Sequence, residues 1–155
     1  MEKTPDIDLT TAHQYFSTQC FNKAWDLMDK TSRTPEEDEQ MILLNQTSLW
    51  HWTQRDDCTP KNLSIGYWQA SRIYALVGEV DDARRYAQLS LEKSQRGEPF
   101  YIGYSYEALA RAEKLAGNSE KMNEYLKRAR EFAKAVSNPE ERKMLESDLD
   151  AMAEK

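Results

Sequence analysis

The chain has 155 residues and a net charge of −6, from 21 Lys plus Arg against 27 Asp plus Glu. Its 39% hydrophobic content supplies a core and excludes a disordered chain, and only five Gly and five Pro argue against a turn-rich sandwich or barrel. An acidic surface disfavours nucleic acid and anionic membrane as partners, and no apolar run approaches the ~18 residues of a membrane span.

Residues 1–8 are expected as a flexible, polar lead-in without an apolar signal core, and 9–155 as a single helical domain. Ala12, Tyr15, Phe16, Cys20, Ala24, Trp25 and Met28 then make one stripe on a helix over about 9–30. Thr34-Pro35-Glu36-Glu37 opens a second helix. It combines a capping hydroxyl, a proline at the first helical position and an acid three residues after the cap. Met41, Ile42, Asn45, Ser48, Leu49 and Trp52 share its inner face, and it should end near Arg55-Asp56.

Thr59-Pro60 repeats that opening, and the stripe Leu63, Tyr67, Ala70, Ile73, Tyr74 and Val77 runs to a stop at Gly78. A fourth helix carries Val80, Ala83, Tyr86, Ala87, Ser90 and Leu91 and ends near Ser94, followed by Gly97 and Pro99 as stop and start. The fifth helix spans 99–116 and closes at Gly117. The sixth, over 119–137, has Met122, Tyr125, Leu126, Ala129, Phe132, Ala133 and Val136 at helical spacing. Asn138-Pro139-Glu140-Glu141 starts a last helix with Leu145, Leu149 and Met152 inward. Its outer face is expected to be charged through Glu140, Glu141, Arg142, Lys143, Glu146, Asp148 and Asp150. No alternating strand pattern is present. The expectation is all-α, with seven helices in antiparallel pairs joined by loops of about 2–6 residues.

A shift of 39 residues superimposes Gly78 on Gly117, Tyr67 on Tyr106, Arg72 on Arg111 and Tyr86 on Tyr125. Each unit reads helix, glycine turn, helix, and one such hairpin cannot bury its apolar face alone. On these residues the chain over about 60–137 resembles the tetratricopeptide repeat family. The family's first aromatic falls on Tyr67 and Tyr106, its second on Tyr74, its turn glycine on Gly78 and Gly117, and its small second-helix residue on Ala83. Met122 and Glu113 depart from the pattern, the unit exceeds the family's 34 residues, and the hairpin 9–55 matches only as a helix pair. The stretches RTPEEDEQM, LWHW, YWQASRIYALVGE and YEALARAEKLAG also resemble a group of bacterial proteins without an assigned activity. The resemblance implies a short right-handed solenoid of stacked pairs (9–55, 60–95, 99–137, with 139–154 as cap). It also implies a concave groove, lined by the first helix of each pair, for a protein or peptide partner.

Trp68, Arg72, Glu107 and Arg111 are the most informative set. Each pair is four apart on one helix, and the 39-residue shift aligns the two pairs. Two guanidiniums beside an aromatic grip a carboxylate or phosphate, with Tyr104 adding a second ring and Glu107 orienting the arginines. The plainer reading of the same residues is a structural Arg–Glu–Arg network. Tyr101 and Tyr104 share a face of the fifth helix with residue 108, and Tyr106 points elsewhere.

For antiparallel first and second helices, residues whose numbers sum to 64 face each other, which brings His13 level with His51, with Cys58 close behind. A His13–His51–Cys58 set has ligand types suited to zinc or copper, but no short ligand spacing, so no metal and no cofactor are expected. The plainer reading is histidine packing beside Trp50 or Trp52. Two cysteines are too few for a disulfide framework and fit reduced thiols in a cytoplasmic protein.

No nucleophile elbow or phosphate-cradling glycine loop is present, and the bases Arg84, Arg85, Lys121, Lys127, Arg128, Arg130 and Lys134 are expected on solvated helix backs. The expected function is therefore a non-enzymatic protein- or peptide-binding module. Its groove residues would be Trp68, Arg72, Tyr104, Glu107 and Arg111. One alternative is a small-molecule binder or enzyme that uses the same cluster in a closed pocket. Another is a homodimer through the N-terminal hairpin, which holds Phe16, Phe21, Trp25, Trp50 and Trp52.

Overall fold

Among the described residues the chain folds as seven α-helices, five of which begin with a side-chain N-cap hydrogen bond. The computed structural model describes residues 3–154, so part of the expected lead-in (residues 1 and 2) lies outside the described residues. The described residues contain no β-strand, and the fold class is all-α. The chain divides into two compact units, one ending at Cys58 and the other beginning at Thr59.

The first unit holds α1 (Leu9–Met28) and α2 (Pro35–Gln54). Asp8 caps α1 by accepting from the Thr11 N–H at 3.1 Å. Thr34 and Glu37 form the expected capping box: the Glu37 N–H donates to Thr34 Oγ1, and the Thr34 N–H donates to Glu37 Oε1. Ala24, Met28, Met41 and Leu49 are buried between the helices. Ser48 Oγ donates to the Ser17 carbonyl at 2.6 Å, and His13 meets His51 four residues earlier on α1 and three later on α2. The two helices of this hairpin therefore run in opposite directions. Cys20 is buried in the same hairpin and is not joined to Cys58 by a disulfide.

The second unit holds α3 (Pro60–Leu76), α4 (Val80–Ser94), α5 (Pro99–Leu115), α6 (Ser119–Ala135) and α7 (Pro139–Ala153). Thr59 and Asn62 form a second capping box, with Pro60 at the first helical position. The turns after α3 and α5 place Gly78 and Gly117 at φ +84° and +77°. In both turns the next residue's N–H reaches back five positions, Glu79 to the Tyr74 carbonyl and Asn118 to the Glu113 carbonyl, each at 2.9 Å. This is the double-bonded helix stop that glycine permits. Gly97 is not in the left-handed region. There the chain turns through an ordinary bond from the Gly97 N–H to the Ser94 carbonyl at 2.8 Å. α6 stops two residues before the expected 137 because Val136 and Asn138 are extended, the conformation a following Pro139 imposes on Asn138.

Within this unit α5 packs against α3, α4, α6 and α7. One apolar cluster joins Ala110, Leu126, Ala129, Ala133, Leu145, Leu149 and Met152, and a second joins Ala87, Leu91, Ile102, Ala108 and Leu109. Each fully buried leucine or isoleucine contributes about 1.5–3 kcal/mol from removal of apolar surface. The α3–α4–α5 contact is different in kind, because serine hydroxyls fill it. Ser64 Oγ donates to the Ser90 carbonyl at 3.0 Å, and Ser90 Oγ and Ser94 Oγ lie 2.8 and 3.0 Å from Ser105 Oγ. Ser71 Oγ donates to the Ala83 carbonyl at 2.8 Å.

Candidate functional site

Trp68 and Arg72 sit one turn apart on α3, as do Glu107 and Arg111 on α5, and α5 packs on both α3 and α7. That packing brings the expected set together on one face. Glu107 is 0% exposed. Arg111 grips it with both terminal nitrogens, at 3.2 Å to Oε1 and 3.4 Å to Oε2. The Arg72 guanidinium lies 5.6 Å from the centre of the Trp68 ring, within cation–π range. Trp68 meets Tyr104 edge to face at 5.6 Å, and Tyr104 meets Phe100 the same way at 5.0 Å. Tyr104 Oη donates to Asp148 Oδ2 of α7 at 2.6 Å.

Burial and mutual charge set the electrostatics of this face. Burial pushes the Glu107 carboxyl up from its ordinary range, and Asp148 adds to that. The charges of Arg111 and then Arg72 pull it back. Burial also holds the Arg72 guanidinium below its ordinary value. The positive charge of Arg111 is the next cause, opposed by Glu107 and Asp148. Burial, the bond to Asp148 and the Asp148 charge push the Tyr104 hydroxyl well above its usual value. The face thus alternates two cations with two anions and walls them with Trp68, Tyr104 and Phe100.

Two charged residues differ from expectation. Asp148 is expected on the solvent face of the last helix, yet it turns inward to Tyr104. It lies three residues after Leu145 and four before Met152, the helical spacing of the buried stripe, and that spacing is the signal for it. Arg84 is expected on a solvated back. Its guanidinium instead makes a two-pronged bond to the buried Glu113, at 2.7 and 2.8 Å, and so ties α4 to α5. Glu113, buried on α5, thus has a charged partner on the neighbouring helix. Its carboxyl is held below the ordinary range, by the Arg84 bond first.

The tyrosines divide as the helical spacing implies. Tyr106 leaves the candidate face and stacks on Phe132 of α6, with ring centres 5.7 Å apart. The Lys61 ammonium sits 4.9 Å over the Tyr101 ring. A shallow groove lined by Leu126, Arg130, Lys134 and Ala153, among others, shares no residue with the Trp68–Arg111 face.

In the first unit the level pairing of the histidines is present, with Nδ1 of His13 2.8 Å from Nδ1 of His51. Cys58 does not complete a ligand set with them. Among the described residues no group of three His, Cys, Asp or Glu side chains is placed to hold a metal ion. Tyr15, Phe16 and Trp50 remain exposed, at 55%, 44% and 55%. No helix among the described residues is long and apolar enough to cross a membrane.

Comparison of the chain with protein-family models, with curated proteins and with solved structures finds no match.

Proposed function

We propose that the chain is a non-enzymatic, tetratricopeptide-like binding module, a short solenoid of antiparallel helix pairs. Its α3–α5–α7 face receives an acidic group of a protein or peptide partner. The observation that carries this reading is a pair of guanidiniums, Arg72 and Arg111, held on one face near enough to oppose each other's charge, with one fully buried carboxylate between helices to hold them. An arriving carboxylate or phosphate relieves that repulsion and finds planar donors for a two-pronged bond. Trp68 and Tyr104 supply ring surface beside it at little cost in side-chain entropy.

The test is fluorescence anisotropy of dye-labelled peptides carrying a single acidic side chain, each paired with its amide counterpart. The reading expects peptides that bind at least ~10-fold tighter than their amides, the effect of one charge-assisted bond of ~1.5 kcal/mol or more. It also expects that preference to vanish in Arg111→Gln. Equal binding of acid and amide across the set rejects it.

A second reading, a homodimer through the first unit, rests on the exposed rings of Tyr15, Phe16 and Trp50. Sedimentation equilibrium of the full chain beside Trp50→Glu distinguishes it. A dimer that the substitution converts to monomer supports the reading, and a monomeric wild type removes it.

A further inference from the structure

His13 and His51 are the only histidines in the chain, and they face each other across the α1–α2 hairpin with their Nδ1 atoms 2.8 Å apart. At that distance the two nitrogens share one hydrogen. One ring carries it on Nδ1 and donates. The other presents a bare Nδ1 and carries its own hydrogen on Nε2. A first added proton goes to the Nε2 of the donor ring, leaving an imidazolium that still donates to its neutral partner. A second added proton has only the accepting Nδ1 left, and there it sets two N–H groups and two positive charges head to head.

The rings that wall the pair are aromatic and carry no charge to offset the second proton. On α1 the Phe16 ring lies 5.4 Å from His51, and on α2 the Trp50 ring lies 4.9 Å from His51 and 5.6 Å from His13. Among the described residues, the other titratable or charged groups next to this end of the hairpin in the chain are Lys3, Asp6, Asp8 and Tyr15 from the α1 side, and Arg55, Asp56, Asp57 and Cys58 after α2. Asp8 is bonded to Thr11, and Arg55 to Asp57 and to Ser17 Oγ. Among the described residues, the hydrogen bond found on these rings is the one they make to each other.

We propose that the His13–His51 pair is an acid-opened latch between α1 and α2: closed while the two rings hold two or three N–H hydrogens, opened by the fourth. This inference stands apart from the binding reading of the α3–α5–α7 face. Burial and then the His13 charge hold His51 below its ordinary value, in the direction the latch requires. The unfolded rings take up both protons below about pH 6.5, and the closed pair takes one, so acid favours the open hairpin.

The experiment uses the full chain. Ring-nitrogen NMR at pH 7.5 should show one histidine as the Nδ1–H tautomer and the other as the Nε2–H tautomer. Amide exchange within α1 and α2, corrected for the intrinsic pH dependence, should quicken by up to ~10-fold per pH unit below about 6.5, the linkage of one proton. In His13→Gln that acceleration should flatten. Two identical tautomers in the wild type overturn the proposal, and so does an exchange profile in α1 and α2 that ignores pH down to 5. If His13→Gln does not fold, the wild-type tautomers and exchange profile decide.

Discussion

Tyr104 Oη donates to Asp148 Oδ2 across 2.6 Å, a bond between residues 44 apart in the chain that ties α5 to α7. A hydrogen bond to a charged acceptor contributes about 1.5–3 kcal/mol. Tyr104→Phe should therefore lower unfolding stability by that order, read as a shift in the urea midpoint at unchanged slope. The same bond, with burial, resists loss of the phenolic proton. Of the eight tyrosines, Tyr104 should be among the last to ionise. The alkaline absorbance step of the wild type and of Tyr104→Phe should then coincide through the range where exposed tyrosines titrate.

Removing one member of the buried Glu107–Arg111 pair should cost more than removing both. Arg111→Met leaves a carboxylate with 0% exposure short of its main partner, and breaking a buried pair in this way costs about 3–5 kcal/mol. Glu107→Leu/Arg111→Met should recover part of that loss. Thermal unfolding of the two single variants and the double variant gives the coupling directly. A double variant as unstable as the sum of the singles contradicts the pairing.

Glu113 makes part of the fold sensitive to acid. Its bond to Arg84 depresses its folded-state pKa. The stability it supplies is complete above the ordinary carboxylate range and is lost as pH falls through its lower, folded value. Glu113→Gln should be less stable than wild type at pH 7, with the gap closing toward pH 3. Urea midpoints measured across that range check it.

Gly103 separates steric cost from conformational cost. A Cβ built there falls 2.6 Å from Leu145 Cδ2, whereas Gly78 has open space around it and a φ of +84°. Gly103→Ala should cost about 1–3 kcal/mol through overpacking of α5 against α7. A smaller partner at the contact, Leu145→Val, should partly restore it. Gly78→Ala should cost about 1 kcal/mol or more through its backbone alone, and no second-site change of packing should recover it.

Local chemistry made the helices legible. Thr34-Pro35, Thr59-Pro60, Asn138-Pro139 and the two left-handed glycines punctuate the chain, and helix ends follow within a residue or two. The His13–His51 contact was legible because two helices joined by a short turn have a fixed level rule. The Arg72, Glu107 and Arg111 cluster was legible because the repeat period placed equal positions on neighbouring helices. Asp148 and Arg84 were not read, because each is decided by a partner on another helix, 44 and 29 residues away. A charged residue on a helix reads as solvated until that partner is known.

The serines between α3, α4 and α5 bear on how the second unit responds to temperature. Unfolding there wets hydroxyls and carbonyls as well as hydrocarbon, and polar exposure lowers the heat capacity while apolar exposure raises it. The consequence is a shallower stability curve than an all-leucine seam of the same size would give. Such a molecule loses less of its stability on cooling, and it depends less on the temperature at which water drives apolar groups together most strongly.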